Sequence, residues 1–329
     1  MTIPGEGQIN SVGEFGLIAE ITALLPQGEN VLIGPGDDAA VVTAPDGYVV
    51  ATTDMAVEGI HFRRDWSSAA QIGQKISAAN LADVVSMGAR PTAMLVAFAA
   101  PRSLPVQWAM DVTIGIRDEA AKMGASIVGG DLASNEKIVI SITALGSLDG
   151  RQPVLRSGAK VGDRVVLVGT TGLSAAGLAL LNPSEVIDSI DADNFEELRA
   201  AHRTPKVEYE LALAFAKCGA HSMCDVSDGL LADLGHVAQS SGVRCRIDPR
   251  KLDVSKLTDA ALKLGVDPLM WALTGGEDHA FVGTIAADVE LPDGLRVIGD
   301  VVAGSGVEVS GLDVSKWQAG HDHFQSTGR

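Results

Sequence analysis

Acidic residues beside glycine or threonine are the side chains of this sequence best suited to chemistry. The chain has 42 acidic residues, of which 27 are Asp, a residue typical of turns, helix caps and oxygen-liganded metal sites. Six such groups occur along the chain: Gly36-Asp37-Asp38, Thr52-Thr53-Asp54, Asn80 with Asp83, Gly129-Gly130-Asp131, Asp225 to Gly229, and Gly275-Gly276-Glu277-Asp278. An Asp beside a Gly is more often a turn residue than a ligand, so each group alone is a weak signal.

Asp83 has the strongest individual claim to a functional role. It lies three residues after Asn80, so both fall on one face of a predicted helix, near its apolar side. A buried carboxylate there needs a partner, and no Lys or Arg lies a turn away on that face.

If the six groups converge, their charges require cations. Two unit charges about 4 Å apart repel by about 4 kcal/mol at an effective dielectric constant of about 20. Carboxylate and hydroxyl oxygens without a His cluster favour Mg²⁺ over Zn²⁺. Because Mg²⁺ commonly shares its coordination shell with phosphates, convergence would point to a polyphosphate substrate.

The common nucleotide-binding signatures are absent from the sequence. It contains no GxxxxGK[ST] loop, no GxGxxG after a strand and no protein-kinase HRD or DFG set. GxSxG and HExxH are absent as well. A nucleotide would therefore have to be held through metal ions and Gly-rich backbone.

The elements that must position these groups alternate between helix and strand. Helical periodicity and capping residues predict helices over residues 13–25, 68–87 (with Ser67 or Ser68 as the cap), 105–123, 174–181, 206–218 and 228–240. Runs of β-prone residues predict strands over 39–43, 48–53, 92–99, 126–128, 138–145, 165–168, 280–285 and 296–302. The first two strands are predicted to form a hairpin. Asp54 then follows a strand end, Asp131 follows another, and Asp225 enters a helix.

Both halves of the chain mix helices and strands, which predicts an α/β (α+β) protein of two domains. A length of 329 residues also suggests about two domains. The turn-rich residues 149–164 mark the boundary, so we expect domains over 1–150 and 151–329. The acidic run Asp188 to Asp193 is predicted to be an exposed loop.

Composition excludes several classes of partner. The formal net charge of −17 argues against binding to nucleic acid or to anionic lipid surfaces. No apolar run approaches the roughly 20 residues of a membrane-spanning helix. The three cysteines form no CxxC pair, and the first 20 residues contain no Lys or Arg. We therefore expect a cytoplasmic protein without nucleic-acid or membrane partners.

Taken in order, the motifs of this chain resemble those of one family, the thiamine-monophosphate kinases. The matching segments in the first half are Gly13 to Ile18, Gly36 to Ala40, Thr52 to Met55, Glu58 to Phe62, Ala79 to Asp83, Met87 to Ala89 and Gly129 to Asp131. Those that follow are Arg156 to Lys160, Gly162-Asp163, Asp225 to Leu230, Gly275 to Asp278 and Gly320 to Phe324. No single segment is decisive, but the ordered set covers nearly the whole chain.

The resemblance implies the two-domain fold of the aminoimidazole ribonucleotide synthetase (PurM-like) superfamily. The N-terminal α/β domain, which binds ATP and Mg²⁺, would contribute strands to a barrel at the interface of a homodimer. A C-terminal α/β domain would pack beside it. The implied reaction converts ATP and thiamine monophosphate to ADP and thiamine diphosphate by direct in-line transfer. Its cofactors would be several Mg²⁺ ions; a monovalent-cation requirement stays open.

The resemblance also implies roles for individual residues. The Mg²⁺ ligands would be Asp38, Thr52, Thr53, Asp54, Asp83, Asp131, Asp225 and Asp228. ATP would be held by Gly130, Asp131, Arg156 and Ser227, and thiamine monophosphate by His61, Glu277 and Phe324. Since the attacking phosphate oxygen is already anionic near pH 7, no dedicated catalytic base is expected.

Three positions differ from the family pattern. Leu173 stands where many relatives have Asp, and His279 where they often have Tyr. Thr113 replaces a Tyr that some relatives place against the adenine, so the residues that contact the base stay open.

Two alternatives remain at this level. One is another ATP enzyme of the superfamily, such as a selenophosphate synthetase, an aminoimidazole ribonucleotide synthetase or a hydrogenase maturation protein. No Cys precedes Cys218, which disfavours the N-terminal reactive residue of selenophosphate synthetases, and the final Thr-Gly-Arg lacks the terminal Cys of the maturation proteins. The other alternative is a noncatalytic protein that binds Mg²⁺ without turning over ATP.

Overall fold

A computed structural model of the chain describes residues 8–35, 40–182, 195–315 and 317. The chain forms two compact units, Met1–Val85 with Ala89–Gln152 and Ser86–Gly88 with Pro153–Arg329. Each unit combines helices with a β-sheet, which confirms the predicted α/β class.

The first unit is built around a four-stranded sheet. Its elements are α1 (Ile9–Thr22), β1 (Val31–Ile33), β2 (Val41–Val42), β3 (Val50–Val57), α2 (Ala69–Ser86), β4 (Arg90–Ala100), α3 (Val106–Ala121), β5 (Ser126–Ser134) and β6 (Val139–Ser147). The strand order is β3-β6-β4-β5, with β4 and β5 parallel and the other pairs antiparallel. Strands β3 and β5 are therefore the two edges. The short strands β1 and β2 pair separately.

The two faces of this sheet have different environments. Along β6, Ile140, Ile142 and Ala144 are buried, whereas the alternating residues are partly exposed. On the buried side, α2 and α3 cross at two glycines. A Cβ atom on Gly73 would lie 2.1 Å from the carbonyl oxygen of Val112, and one on Gly115 would meet α2 equally closely. The close helix crossing thus requires glycine.

The second unit contains a six-stranded sheet and six helices within the described ranges. Its elements are β7 (Arg164–Val168), α4 (Leu173–Leu181), α5 (Glu196–Arg203), α6 (Tyr209–Lys217), β8 (Ser222–Val226), α7 (Leu230–Ser241), β9 (Arg244–Ile247), α8 (Thr258–Leu264), α9 (Pro268–Thr274), β10 (Ala280–Ile285), β11 (Arg296–Val302) and β12 (Gly306–Val309). Short 3₁₀ turns span Arg156–Gly158 and Pro249–Lys251. The strand order is β12-β9-β11-β7-β10-β8, and only β12 and β9 pair in parallel. Strands β8 and β10 are buried along their whole length.

The long helices follow the sequence predictions closely. Helix α2 spans Ala69–Ser86 where 68–87 was predicted, and Ser68 is confirmed as its cap. The main-chain N–H of Gln71 donates to Ser68 Oγ, while Gln71 Oε1 accepts from the Ser68 N–H. This reciprocal pair is a capping box.

Several strand predictions were wrong. The predicted hairpin of 39–43 with 48–53 does not form, because β2 pairs with β1 and β3 pairs with β6. Asp54 and Asp131 lie inside strands β3 and β5, not after their ends. Asp225 lies inside β8, a strand that was not predicted. Residues 188–193 lie outside the described ranges.

Candidate active site

Two polar side chains of helix α2, the buried Asn80 and the half-buried Asp83, hold the middle of strand β3. The hydroxyl group of Thr52 donates to Asp83 Oδ2 over 2.8 Å. One turn earlier, Asn80 Oδ1 accepts the main-chain N–H of Asp54 over 3.2 Å, and the Asn80 amide nitrogen donates to the carbonyl oxygen of Ile76. Asp83 thus has the partner that its position required, and Asn80 fixes the backbone at the predicted ligand Asp54.

Thr53 lies on the opposite face of β3 from Thr52 and Asp54, as strand alternation dictates. Its hydroxyl donates to the carbonyl oxygen of Ile142 and accepts a hydrogen bond from Thr143. The structure therefore brings Thr52, Asp54 and Asp83 together and turns the Thr53 side chain away from them.

Asp131 and Gly130 lie on the other edge of the same sheet. Strand β5 is separated from β3 by β4 and β6, which amounts to three interstrand spacings, or roughly 14 Å. Two Asp side chains that far apart cannot reach one ion. The first unit by itself therefore does not bring Asp131 to Asp54.

A cavity of about 840 Å³ lies beside Gly130 and Asp131. Residues of α1, α3 and strands β4–β6 line it, and its helical walls are mainly apolar, with Ile18, Val112 and Ile116 among them. Thr113 also lines this cavity, and its hydroxyl donates to the carbonyl oxygen of Ala109. The cavity therefore combines an apolar wall with a glycine backbone and a carboxylate.

His61 follows β3 and has a defined hydrogen-bonding state. Its Nδ1 accepts the main-chain N–H of Val57 over 3.0 Å, while the His61 N–H donates back to the Val57 carbonyl oxygen. A neutral imidazole that accepts at Nδ1 carries its proton on Nε2. His61 can therefore offer Nε2–H as a donor.

In the second unit, the segment from Gly275 to His279 lies along the end of β8. The N–H of Glu277 donates to the Ser227 carbonyl oxygen over 2.8 Å, and the N–H of His279 donates to that of Val226 over 3.2 Å. His279 Nδ1 also lies 3.4 Å from Oδ2 of the buried Asp225. Two of the predicted groups, Asp225 to Gly229 and Gly275 to Asp278, thus meet in space.

Glu277 and His279 both have positive φ angles, +63° and +50°, although neither is glycine. Such angles cost of order 1–3 kcal/mol and persist only where surrounding contacts impose them. The Glu277 carboxylate lies 3.5 Å from Nδ1 of the buried His202, and the same nitrogen lies 3.0 Å from Ser174 Oγ. The strained backbone and His202 together set the direction of the Glu277 side chain.

Asp278 is buried and occupies the N-terminus of α4. Its carboxylate accepts the N–H groups of Gly172 and Ser174 over 2.6 and 2.8 Å. Burial raises the pKa of Asp278 to about 6, and the two N–H bonds oppose that rise. The carboxylate therefore anchors the strained segment to α4.

Asp233, in the first turn of α7, is also buried. Burial raises the pKa of its carboxyl group to about 7, and the neighbouring Asp225 carboxylate adds to the rise. The sequence did not single out Asp233 or His202, and it placed Asp278 in a candidate group without giving it a role of its own. The available signal for Asp233 was an acid in the first turn of an otherwise apolar helix.

The remaining predicted residues are placed as follows. Arg156 is exposed in the 3₁₀ turn, and its carbonyl oxygen accepts from Ser241 Oγ. Ser227 and Asp228 lie in the loop between β8 and α7. Asp38 and Phe324 lie outside the described residues.

The donors gathered on each unit are mainly carboxylate and hydroxyl oxygens, which fit Mg²⁺. Over the ranges that the structure describes, no three His, Cys, Asp or Glu side chains group closely enough to hold a metal ion. None of the helices in those ranges is long and apolar enough to cross a membrane.

Comparison with known proteins places the chain in a family. The AIR synthase related protein family matches with its N-terminal domain over residues 36–148 and its C-terminal domain over 160–311. The chain is 46% identical to a thiamine-monophosphate kinase of Mycobacterium tuberculosis over 97% of this chain and 93% of the relative. It is 40% identical to one from Corynebacterium glutamicum over 89% and 87%. A solved structure described as AaThiL complexed with AMPPCP and TMP has a TM-score of 0.78 and 32% identity, covering 97% of this chain and 99% of that one.

Proposed function

The chain belongs to the thiamine-monophosphate kinase family, and on that premise we propose that it phosphorylates thiamine monophosphate with ATP. The products are ADP and thiamine diphosphate. The observation that carries the proposal is the match over nearly the full length of both chains, at 46% identity. The related structure that holds AMPPCP and TMP supports the same pair of substrates.

The oxygen donors of the chain suit a reaction that depends on alignment and charge neutralisation. Bound Mg²⁺ would supply positive charge to the transferring phosphoryl group. We propose that Thr52, Asp54 and Asp83 hold Mg²⁺ on the first unit and that Thr53 contributes a backbone oxygen of the strand. We also propose Asp38 and Asp131 as Mg²⁺ ligands and, separately on the second unit, Asp225 and Asp228. The acceptor is a phosphate monoester oxygen, so the chain needs no general base and the transfer proceeds in line.

The chain's other residues have separate tasks. The cavity beside Gly130 suits the base of ATP, because its helical walls are mainly apolar and the Gly130 backbone lines it. Arg156 and Ser227 would bind phosphate oxygens. His61 would donate from Nε2 to the substrate phosphate, and Glu277 would face the cationic thiazolium ring. Phe324 would cover that ring.

We propose that the chain forms a homodimer, and the positions of Asp54 and Asp131 support this. These residues lie on opposite edges of one sheet, so a site that uses both needs a second copy of the chain. The sheet face away from α2 exposes Met55 and Leu95, to 59% and 38%, which suits burial against another copy. When the edges of two such sheets also pair, the sheets close into a barrel in which β3 of one copy lies beside β5 of the other.

Mixing two inactive variants tests this arrangement. Asp54→Asn and Asp131→Asn are each expected to abolish activity. If the site is shared, a mixed dimer has one site free of both changes, and an equal mixture regains about a quarter of wild-type activity. If every site lies within one copy, mixing restores nothing. Light scattering of the mixture verifies that dimers are present.

A product assay tests the reaction itself. Purified protein receives Mg-ATP with thiamine monophosphate or with thiamine, and the thiamine phosphates are separated by chromatography. We expect thiamine diphosphate only from the monophosphate, with equimolar ADP, and its loss on Asp83→Asn. As a control, Glu136→Gln changes an exposed acid in the turn between β5 and β6 and should leave activity unchanged. Bound Mg-ATP without diphosphate would favour another substrate of the superfamily.

A further inference from the structure

The loop from Val226 to Gly229 carries two of the proposed site residues and is held from two sides. On one side, the carbonyl oxygens of Val226 and Ser227 accept from the strained segment described above. On the other side, Asp233 Oδ2 accepts the main-chain N–H groups of both Asp228 and Gly229, over 3.0 and 3.1 Å. Asp233 is only 3% exposed and lies in the first turn of α7.

The conformation of this loop depends on those contacts. Gly229 has a φ angle of +116°, and a Cβ atom there would lie 2.6 Å from the carbonyl oxygen of Thr274. Gly229, the N-cap residue of α7, has no side chain that could cap the helix, and Asp233 reaches back from within α7 to the N–H groups before it. Without Asp233, these N–H groups lose their acceptor and Asp228 can rotate.

The choice of a carboxylate at this position is costly for folding. Asp233 is buried near the carboxylates of Asp225 and Asp228, and all three would repel each other when ionised. An acceptor for two N–H groups could be supplied by a neutral side chain. What the loop receives from Asp233 is an acceptor oxygen for two N–H groups, so an Asn at this position should serve the loop as well as the carboxylate does.

We propose that Asp233 is a positioning residue for metal binding, which holds the Asp228–Gly229 backbone so that the Asp228 side chain faces the site. The inference rests on the proposed function for its consequence in catalysis. Asp233 acts through its oxygen acceptor on the main chain and does not itself ligate the metal. Buried outer residues of this kind commonly change metal affinity by about 10- to 100-fold.

Two substitutions separate the acceptor from the charge. Asp233→Asn keeps an oxygen that can accept both N–H groups, whereas Asp233→Ala removes it. As a matched control, Val237→Ala truncates a fully buried side chain one turn along α7 without a hydrogen bond to the loop. Each variant is measured in three ways: amide hydrogen exchange at Asp228 and Gly229 in metal-free protein, Mn²⁺ binding to substrate-free protein, and the Mg²⁺ dependence of turnover.

We expect Asp233→Ala to lose amide protection at both positions and to weaken Mn²⁺ binding by about 10-fold or more. Its Mg²⁺ requirement should rise in parallel, while Asp233→Asn stays within about threefold of wild type. Equal losses in Asn and Ala would show that the charge itself matters, which overturns the proposal. So would an Ala variant that behaves like Val237→Ala. If wild-type protein forms no thiamine diphosphate, the proposed function fails, yet amide exchange and Mn²⁺ binding still decide the role of Asp233.

Discussion

The hydroxyl group of Thr52 donates a hydrogen bond to Asp83 Oδ2 over 2.8 Å, and this bond joins edge strand β3 to helix α2. It sets the position of a half-buried carboxylate beside the backbone of Asp54, which Asn80 holds one turn away. The two proposed ligands Asp54 and Asp83 are therefore held in place by hydrogen bonds within the protein. Prearranged ligands reduce the ordering that binding would otherwise require.

Thr52→Val should weaken both stability and Mg²⁺ binding. Valine has nearly the same shape but no hydroxyl, so Asp83 loses a donor at a cost of about 1–2 kcal/mol. The Mg²⁺ concentration for half-maximal activity should rise. Thr52→Ser keeps the hydroxyl and should stay close to wild type. Denaturant unfolding and a Mg²⁺ titration check both variants, and a Val variant indistinguishable from the Ser variant would contradict the prediction.

Glu277→Gly should stabilise the protein and impair substrate binding. Glycine relieves the strain of a φ angle of +63° but loses chain entropy on folding, so the expected net gain is at most about 1 kcal/mol. The loss of the carboxylate should raise KM for thiamine monophosphate. Asp149→Gly provides the control, because this exposed turn residue has a φ angle of +56° and no assigned role. Unchanged KM in the Glu277 variant would argue against its substrate contact.

Asp278→Asn should change how stability depends on pH. Burial raises the pKa of Asp278 to about 6 in the folded protein, above the 3.8 expected when unfolded. Its protonation therefore favours folding below about pH 4, and this contribution is lost as pH rises through 6. The Asn variant has no carboxyl group to protonate and therefore lacks this contribution. The stability of wild type relative to the variant should fall between pH 4 and pH 7, by at most about 3 kcal/mol. Denaturant unfolding at several pH values measures the difference, and a rise with pH would refute the assignment.

The three cysteines should differ sharply in reactivity. All are free thiols, but only Cys218 is partly exposed. Burial raises the pKa of Cys245 to about 12 and that of Cys224 well above its ordinary value, so neither forms thiolate at pH 8. A thiol reagent should label one cysteine per native chain and three after denaturation. Cys218→Ser should abolish the native labelling, and rapid labelling of Cys245 would disagree with its burial.

The chemistry of the chain could be predicted from sequence alone. The excess of Asp with Thr and Ser beside it indicated Mg²⁺ and a polyphosphate, and the family resemblance of the ordered motifs implied ATP and thiamine monophosphate. Helices α2 and α3 were also predictable, since their apolar periodicity and the Ser68 cap are local signals. The extents of β3 and β5 were not, because both strands continue through Asp or Gly, which are depleted in strands. All eight residues of β3 pair with β6, and this long-range pairing carries the strand past Asp54.

Tertiary structure alone decided which side chains support the proposed ligands and where those ligands lie. Asp278 reaches α4 across more than 100 residues, and His202 reaches Glu277 across 75, so neither contact has a local signal. Sequence order likewise could not reveal that Asp54 and Asp131 occupy opposite edges of one sheet, since strand order depends on hydrogen bonding between distant segments. The residue types determined the chemistry that is available, whereas strand order and long-range hydrogen bonds determined which of those residues can act together.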